Sequence, residues 1–210
     1  MDSNDVVTVN MKLIDRTFPT VKGVDKRKLL MTNVGVYSVS KTMASDALVK
    51  LIKSYFTSEE IVVTDATGNV GSDSIMLALN FKHVNSIEMS PDQYKVLTHN
   101  VNVYGLQDKM SLHNGDSMIV LNELDQDVIY IDAPWGGVNY KEETSMSLFM
   151  SEKELSEIYQ EYKHLCKIMI FKVPKNYNFT RFMQNSTSNR ISIFSVNKHD
   201  KLSFYFIICN

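Results

Sequence analysis

Short apolar runs alternate along this chain with segments of helical period, and this alternation restricts the possible folds more than any other feature. Apolar runs suited to strands end at Asp65, Glu88 and Ile131, and another spans residues 167–173. Between them, apolar residues recur three or four positions apart, as on one side of a helix. Parallel strands need crossover connections, which are usually helices, so the pattern predicts an α/β fold with a mostly parallel, doubly wound sheet.

The two ends of the chain extend this pattern. The last apolar runs, residues 190–196 and 201–209, predict a hairpin that adds an antiparallel C-terminal strand. Near the N-terminus, a helical period runs from Met43 to Phe56, with Ser40 as its predicted N-cap. No linker rich in Pro, Gly or Ser divides the chain. We therefore expect a small helical extension, residues 1–58, packed on a core of residues 59–210.

Two further helices carry predicted start signals. Ser90-Pro91 supplies an N-cap followed by proline at the first helical position, and Gly105 is suited to end that helix. Ser151-x-x-Glu154 has the spacing of a capping box, and apolar residues from Leu155 onward continue at helical spacing. Both helices fit the crossover connections that a parallel sheet requires.

Four acidic side chains stand at or just beyond the carboxyl ends of predicted strands: Asp65, Glu88, Asp116 and Asp132. In a parallel α/β sheet these ends share one edge, where ligands bind. Each acid alone could cap a turn or face water, but four at four such ends indicate a common site. This is the arrangement of a class I S-adenosylmethionine-dependent methyltransferase, which has a Rossmann-like sheet.

The turn after the first of these strands is suited to a nucleotide-like ligand. Residues 66–72, Ala-Thr-Gly-Asn-Val-Gly-Ser, connect a strand to a helix and bring backbone donors close to a ligand. Glu88 follows Asp65 by 23 positions, where nucleoside-binding α/β proteins place a carboxylate for the ribose hydroxyls. Asp116 could accept a hydrogen bond from an adenine amino group, or it could simply cap the next turn.

A second loop, residues 131–140, follows the strand that ends at Ile131. Asp132 can accept a hydrogen bond from an amino group, Pro134 stiffens the turn, and Trp135 offers a large π face. The two glycines that follow allow something flat to approach the backbone. A lone tryptophan is often a core residue and Gly-Gly is often only a turn, but the neighbouring acids favour a site that holds a flat, amino-bearing base.

Composition and charge exclude several classes of protein. A net charge of −2 argues against broad, non-specific binding to nucleic acid, although the basic run 22–28 is either a solvated face or a local phosphate contact. Two cysteines and five histidines show no ligand spacing, so we predict no metal. No apolar run has transmembrane length and no signal peptide is present. We expect an intracellular monomer that is not secreted, in the cytoplasm (including a viral factory if the chain is viral) or in the nucleus.

The loop Asp132-Ala-Pro-Trp-Gly-Gly-Val-Asn-Tyr140 resembles the S-P-P-W-G-G-P-D-Y loop of trimethylguanosine synthases. These are RNA cap hypermethylases that convert a 7-methylguanosine cap to 2,2,7-trimethylguanosine. Four other segments resemble the family's G-W-F-S-V-T, D-A-F-C-G-V-G, V-Y-G-I and L-P-R-N motifs, in that order: residues 35–40, 65–71, 103–106 and 173–176. The matches cover about residues 35–210 in register. Because the chain has no long N-terminal extension, we expect it to be a minimal catalytic form, as in a virus or a protist.

The resemblance implies a role for each matching residue. Asp132, Pro134 and Trp135 would form the catalytic loop, with Trp135 stacked on the methylated guanine. Tyr140, Lys175 and Asn176 would approach the cap, the first two at its phosphates. The implied S-adenosylmethionine site comprises Ser38, Ser40, Asp65, Asn69, Gly71, Glu88, Asp116 and Asp132.

Three departures from the family's motifs bear on specificity. Asn69 replaces a glycine, and because asparagine tolerates the left-handed conformation the turn is expected to survive. Thr67 replaces a phenylalanine without an obvious consequence. Asp132-Ala133 replaces Ser-Pro, which makes the loop partly similar to the D-P-P-Y/W loops of base amino-methyltransferases.

The implied function is methyl transfer to the 2-amino group of 7-methylguanosine-capped RNA, giving 2,7-dimethyl- or 2,2,7-trimethylguanosine. The sulfonium methyl is a strong electrophile, so no metal or covalent nucleophile is required. Two alternatives remain open. Asp132 favours an amino-methyltransferase for an internal RNA or DNA base, and Asn69 favours a non-catalytic cap-binding module with a decayed cofactor site.

Overall fold

A seven-stranded sheet with helices on both faces forms the centre of the described part of the chain. The structure is a computed structural model that describes residues 6–186 and 190–210, apart from the side chain of Val138. The strands are β1 (Val6–Val7), β2 (Met31–Thr32), β3 (Val62–Asp65), β4 (His83–Glu88), β5 (Met110–Asn114), β6 (Val128–Ile131), β7 (Phe149–Met150), β8 (Lys153–Glu154), β9 (Ile168–Pro174), β10 (Ile191–Lys198) and β11 (Lys201–Cys209). The helices are α1 (Met11–Thr17), α2 (Asn33–Ser38), α3 (Thr42–Tyr55), α4 (Ser72–Ala78), α5 (Pro91–Tyr104), α6 (Ser117–Val120), α7 (Leu155–Tyr162) and α8 (Phe179–Asn185).

The order of strands in the large sheet is β10-β11-β9-β6-β3-β4-β5. Neighbours from β9 to β5 pair in parallel, whereas β11 pairs antiparallel with both β9 and β10. The predicted α/β sheet with an antiparallel C-terminal strand is therefore confirmed. The chain leaves β3 toward β4 and β5 and then returns to form β6 on the other side of β3. That reversal opens a crevice between the carboxyl ends of β3 and β6, where ligands bind in such sheets.

Alternate residues of the central strands enter two cores, one on each face of the sheet. Val128 and Tyr130 of β6 pack in one core with α3, α4 and α5, whereas Ile129 and Ile131 pack in the other with α7 and α8. Burial on both faces explains why β6 reads as a continuous apolar run instead of an alternating one.

The described residues before position 59 pack on the first of these cores. Ile14, Phe18 and Met31 are buried in the same cluster as Val63 of β3. On α5, Tyr104 donates a hydrogen bond to the Pro19 carbonyl oxygen at 2.6 Å. This segment includes the short pair β1–β2 as well as helices, and the boundary at residue 58 stays our proposal.

The predicted signals for α5 are confirmed, whereas two other predicted caps are wrong. Ser90 caps α5, and Gly105 ends it in the left-handed conformation. Lys41, not Ser40, precedes α3 and makes no side-chain cap. Helix α7 begins at Leu155 with Glu154 as N-cap, because Ser151 lies in the turn between β7 and β8.

Candidate functional site

A cavity of about 620 Å³ opens at the crevice between the carboxyl ends of β3 and β6. Its walls come from α2, the loops after β3, β4 and β6, and the end of β9. This volume falls within the range that is usual for small-molecule sites. Residues that line it include Ser38, Lys41, Thr67, Gly68, Asn69, Asp73, Glu88, Ser117, Asp132, Ala133, Pro134, Trp135, Gly137, Tyr140, Lys141 and Lys172.

The loop after β3 makes a tight turn before α4. A Cβ atom at Gly68 would overlap with Ser86 Oγ, so only glycine fits there. Asn69 and Gly71 have φ values of 48° and 96°. The prediction that Asn69 occupies the left-handed conformation is confirmed, and the turn survives the loss of a glycine. Gly71 does not line the cavity but directs the chain into α4.

Glu88 is held at the cavity wall by two backbone donors. Its Oε2 accepts from the Asn69 amide at 2.8 Å, and its Oε1 accepts from the Ser90 amide at 2.7 Å. Burial raises the pKa of Glu88, although these hydrogen bonds oppose the shift. The Asn69 side chain donates to Ser38 Oγ at 2.9 Å, which connects α2 to the same wall.

Asp65 lies behind the cavity instead of lining it. Its side chain is fully buried and accepts from the Thr67 amide at 3.0 Å and from Ser74 Oγ at 2.5 Å. Burial, together with the nearby Asp73 carboxylate, raises the pKa of Asp65 to about 7. The geometry makes Asp65 a support for the loop.

Asp73, which was not among the predicted site residues, provides a further carboxylate at the cavity wall. It accepts from Ser45 Oγ at 2.5 Å and from the Tyr130 hydroxyl at 3.1 Å. Burial raises the pKa of Tyr130 well above its usual range, and the Asp73 charge adds to the shift. The Tyr130 hydroxyl therefore stays protonated and donates.

A buried ion pair joins β9 to the loop after β6. Lys172 Nζ lies 2.6 Å from Asp132 Oδ2 and 2.7 Å from Ser40 Oγ. Burial alone would lower the pKa of Lys172, but the carboxylates of Asp132 and Asp73 raise it. Burial raises the pKa of Asp132, and the Lys172 ammonium opposes that shift. Ser40 therefore supports this pair instead of lining the cavity.

Several carboxyl groups lie near Lys172. The carboxylates of Asp132 and Asp73 act on this single ammonium, joined by that of Asp65 when it is ionised. A cation that enters the cavity would interact favourably with the remaining negative charge. Lys172 was missed in the sequence, although a lysine inside the apolar run 168–174 of a buried strand requires a partner.

Trp135 is half-buried at the cavity, where its ring contacts Tyr140 and Lys172. Its ring meets that of Tyr140 edge to face, with centroids 5.1 Å apart. Lys172 Nζ lies 5.5 Å from the Trp135 centroid. Among the described residues, no acceptor is found for the buried Trp135 Nε1. Gly136 and Gly137 have φ values of 81° and 86°, which residues other than glycine rarely adopt.

Like Ser40, Asp65 and Gly71, three further predicted site residues lie outside the cavity lining. Asn176 Nδ2 donates to the Tyr140 and Glu143 carbonyl oxygens at 2.8 and 2.7 Å, so it holds the loop that carries Tyr140. Lys175 is exposed and does not line the cavity. Asp116 caps α6 and accepts from Ser151 Oγ at 2.9 Å, while its neighbour Ser117 lines the cavity.

Across residues 6–186 and 190–210, no cluster of three or more His, Cys, Asp or Glu residues is arranged to hold a metal ion. Within the same part of the chain, no helix combines the length and the apolar character needed to span a membrane.

Comparison with known proteins gives matches to RNA-modifying enzymes. The family model for RNA cap guanine-N2 methyltransferases matches residues 60–210. An uncharacterized protein of Acanthamoeba polyphaga mimivirus is 32% identical over 145 residues, which are 67% of this chain and 56% of that protein. The trimethylguanosine synthase of Schizosaccharomyces pombe is 27% identical over 118 residues, which are 53% of this chain and 48% of the yeast protein. The chain thus spans about half the length of these curated relatives.

A solved structure supports the fold. A putative methyltransferase from Porphyromonas gingivalis superposes with a TM-score of 0.65 over 85% of this chain and 42% of its own, at 17% sequence identity. The predicted Rossmann-like fold of class I methyltransferases is confirmed.

Proposed function

This chain belongs to the RNA cap guanine-N2 methyltransferase family, and we propose that it transfers methyl groups from S-adenosylmethionine to the 2-amino group of 7-methylguanosine caps. The product is 2,7-dimethylguanosine, 2,2,7-trimethylguanosine or both. The substrate is capped RNA inside the cell, and the enzyme acts as a monomer. The observation that supports this most is that Asp132 and Trp135 line the same cavity as Asn69 and Glu88.

The residues around the loop after β3 fit S-adenosylmethionine. Glu88 is fixed by two backbone donors and can accept from ribose hydroxyls. Asn69 Oδ1 is buried without a donor among the described residues, so a ligand hydroxyl or amino group can satisfy it. The carboxylates near Lys172 favour a positively charged sulfonium. When bound, the cofactor supplies the electrophilic methyl group.

The other predicted cofactor residues act at different distances from the cavity. Ser38 lines it, whereas Asp65 and Gly71 shape the turn from behind. Asp116 does not line the cavity, but its neighbour Ser117 does. An adenine amino group bound near Ser117 would be the one within reach of Asp116. Ser40 contributes through its contact with the Lys172 and Asp132 pair.

Trp135 and Tyr140 provide an aromatic corner for the base. A 7-methylguanine ring carries positive charge, and cation–π attraction to a tryptophan face contributes about 0.5–2 kcal/mol. Pro134 stiffens the loop that presents Trp135. Lys175 and Asn176 remain proposed neighbours of the cap, the first as an exposed charge for phosphate and the second as the residue that holds the Tyr140 loop.

Asp132 orients the reacting amino group. A guanine amino group is a weak nucleophile because its lone pair is delocalised into the ring, so its alignment with the methyl group matters. Lys172 occupies Asp132 Oδ2, and no hydrogen bond to Oδ1 is found among residues 6–186 and 190–210. We assign Oδ1, with the Ala133 and Pro134 carbonyls, as acceptors for the amino protons. Lys172 is a positioning residue that holds the carboxylate in this orientation.

The direct test is mass spectrometry of a 7-methylguanosine cap dinucleotide after incubation with the protein and labelled S-adenosylmethionine. We expect one or two added methyl groups on the methylated guanine. No transfer by a folded protein that binds the cofactor would refute the proposal.

Variants of Trp135 test how the substrate is selected. Trp135→Phe should keep stacking but narrow the preference for 7-methylguanosine over guanosine caps, because phenylalanine has a weaker cation–π face. Trp135→Ala should lose both contributions. The measurement is the ratio of kcat/KM for the two caps in wild type and in each variant. If folded Trp135→Ala keeps wild-type activity and discrimination, Trp135 has only a structural role.

Asp132 favours one second candidate, methylation of an amino group on an internal RNA or DNA base. A carboxylate at this position can accept a hydrogen bond from an adenine or a guanine amino group alike. The two functions differ in whether a 7-methylguanosine nucleotide is a substrate. Activity on uncapped RNA or DNA but none on the cap nucleotide would favour the second candidate.

A further inference from the structure

We propose that Arg16, Lys41, Lys141 and Lys198 form a basic rim beside the cavity that binds the phosphates of the RNA chain following the cap. This inference rests on the proposed function for the identity of the RNA. The four side chains come from four separate segments: α1, the residue before α3, the loop after β6, and the β10–β11 hairpin.

The fold brings these segments to one edge of the sheet. Lys41 and Lys141 both line the cavity. The Thr42 hydroxyl donates to the Arg16 carbonyl oxygen at 3.1 Å, which holds the end of α1 against the start of α3. Lys41 and Lys141 therefore lie at the cavity, and the backbone of Arg16 lies next to Thr42, the neighbour of Lys41.

The hairpin reaches the same edge because of its register. Phe204 pairs with Pro174, the last residue of β9, so the residues of β11 before Phe204 extend past the carboxyl end of the sheet. Lys198 pairs with Lys201 in that projecting part. The turn between them, His199 and Asp200, has positive φ at both residues, which suits a two-residue hairpin.

The charges of the rim act on one another and are not neutralised internally. Burial lowers the pKa of Lys41, and the positive charges of Arg16, Lys198 and Lys141 lower it further. In the described part of the chain, no member of the rim forms an ion pair with a carboxylate. A polyanion bound along the rim would relieve this repulsion.

The basic run 22–28 is less suited to this role. Lys26 is buried and lies 3.1 Å from the Asp15 carboxylate. Arg27 pairs with Asp25 at 2.8 Å. Two of its cations are therefore already partnered, whereas the rim beside the cavity keeps its charges available.

The test compares binding of two probes to wild type and to the double variant Arg16→Gln/Lys198→Gln, whose positions do not line the cavity. One probe is a 20-nucleotide RNA with a 7-methylguanosine cap and a fluorescent label at its 3′ end. The other is the cap dinucleotide. We expect RNA affinity at low salt to fall on the order of fivefold to tenfold, with little change for the dinucleotide. The slope of log affinity against log salt should become shallower by about 1.4 for two lost contacts to a single strand.

Two controls separate this role from loss of folding or of net charge. Arg16→Lys/Lys198→Arg keeps the charges and should bind the RNA as wild type does. Lys50→Gln/Lys109→Gln removes the same charge elsewhere, since Lys50 lies in the second half of α3, away from Lys41, and Lys109 precedes β5 at the opposite edge of the sheet. It should leave the salt slope nearly unchanged.

The outcomes distinguish this proposal from the proposed function. Unchanged RNA affinity and salt slope in Arg16→Gln/Lys198→Gln would overturn the rim, whatever the enzyme methylates. An equal loss in Lys50→Gln/Lys109→Gln would also overturn it, because the effect would then be general electrostatics. A specific loss of RNA binding in a protein that does not methylate caps would support the rim and refute cap methylation.

Discussion

Asp65→Asn should make the stability of this protein less dependent on pH between pH 5 and pH 8. Asp65 is fully buried behind the cavity, where burial and the Asp73 carboxylate raise its pKa from 3.8 to about 7. In the unfolded chain the same carboxyl ionises near its ordinary value. The native state therefore retains a proton at pH 5 that the unfolded state has already lost.

The sign and size of the effect follow from this difference. An acid whose pKa is raised by folding stabilises the native state least at high pH, since ionisation is then costly in the buried site. From pH 5 to about pH 7 the free energy of unfolding falls by about 1.36 kcal/mol per pH unit for one such group. Between pH 5 and pH 8, the free energy of unfolding of wild type should thus fall by about 2.5 kcal/mol relative to that of Asp65→Asn.

Urea denaturation followed by tryptophan fluorescence and circular dichroism at pH 5, 6, 7 and 8 measures this difference. Asparagine can still accept from the Thr67 amide, so the loop should survive the change. Asp46→Asn, the same substitution at an exposed position of α3, is the matched control for the change from carboxyl to amide. A constant difference between wild type and Asp65→Asn across this range would refute a raised pKa at Asp65.

Two further predictions concern the cavity wall. Glu88→Ala should weaken S-adenosylmethionine binding by about tenfold or more, while cap binding stays nearly unchanged. The reason is that a hydrogen-bonded carboxylate is lost from the cofactor side only. Unchanged cofactor affinity in calorimetry would reject the ribose role. Lys172→Met should destabilise the fold by about 3–5 kcal/mol, since it leaves Asp132 without its cation in a buried site. Adding Asp132→Asn to Lys172→Met should restore part of that loss in urea denaturation, and strictly additive effects of the two changes would contradict a direct coupling.

The sequence by itself determined the sheet and the segments that reach its carboxyl edge. Alternating strands and helices left few alternatives to a parallel sheet, and the strand-end positions of Asp65, Glu88 and Asp132 followed from local patterns. The glycines and the asparagine of the turn after β3 were also readable, since backbone conformation there depends on the residue itself. Local signals failed at Ser40 and Ser151, because a side-chain partner far along the chain and a short hairpin took precedence over helix capping.

Only the tertiary structure decided which charges meet. Ser40, Asp132 and Lys172 are brought together by the pairing of β6 with β9 and by the packing of the N-terminal segment, over separations as large as 132 residues. The period of a strand or helix tells which face a residue occupies but not which distant residue it opposes. The same is true of Asp73 against Tyr130, and of Arg16 and Lys198 beside Lys41. Electrostatic interactions of this kind depend on distance and burial, and both arise only when the separate elements have packed.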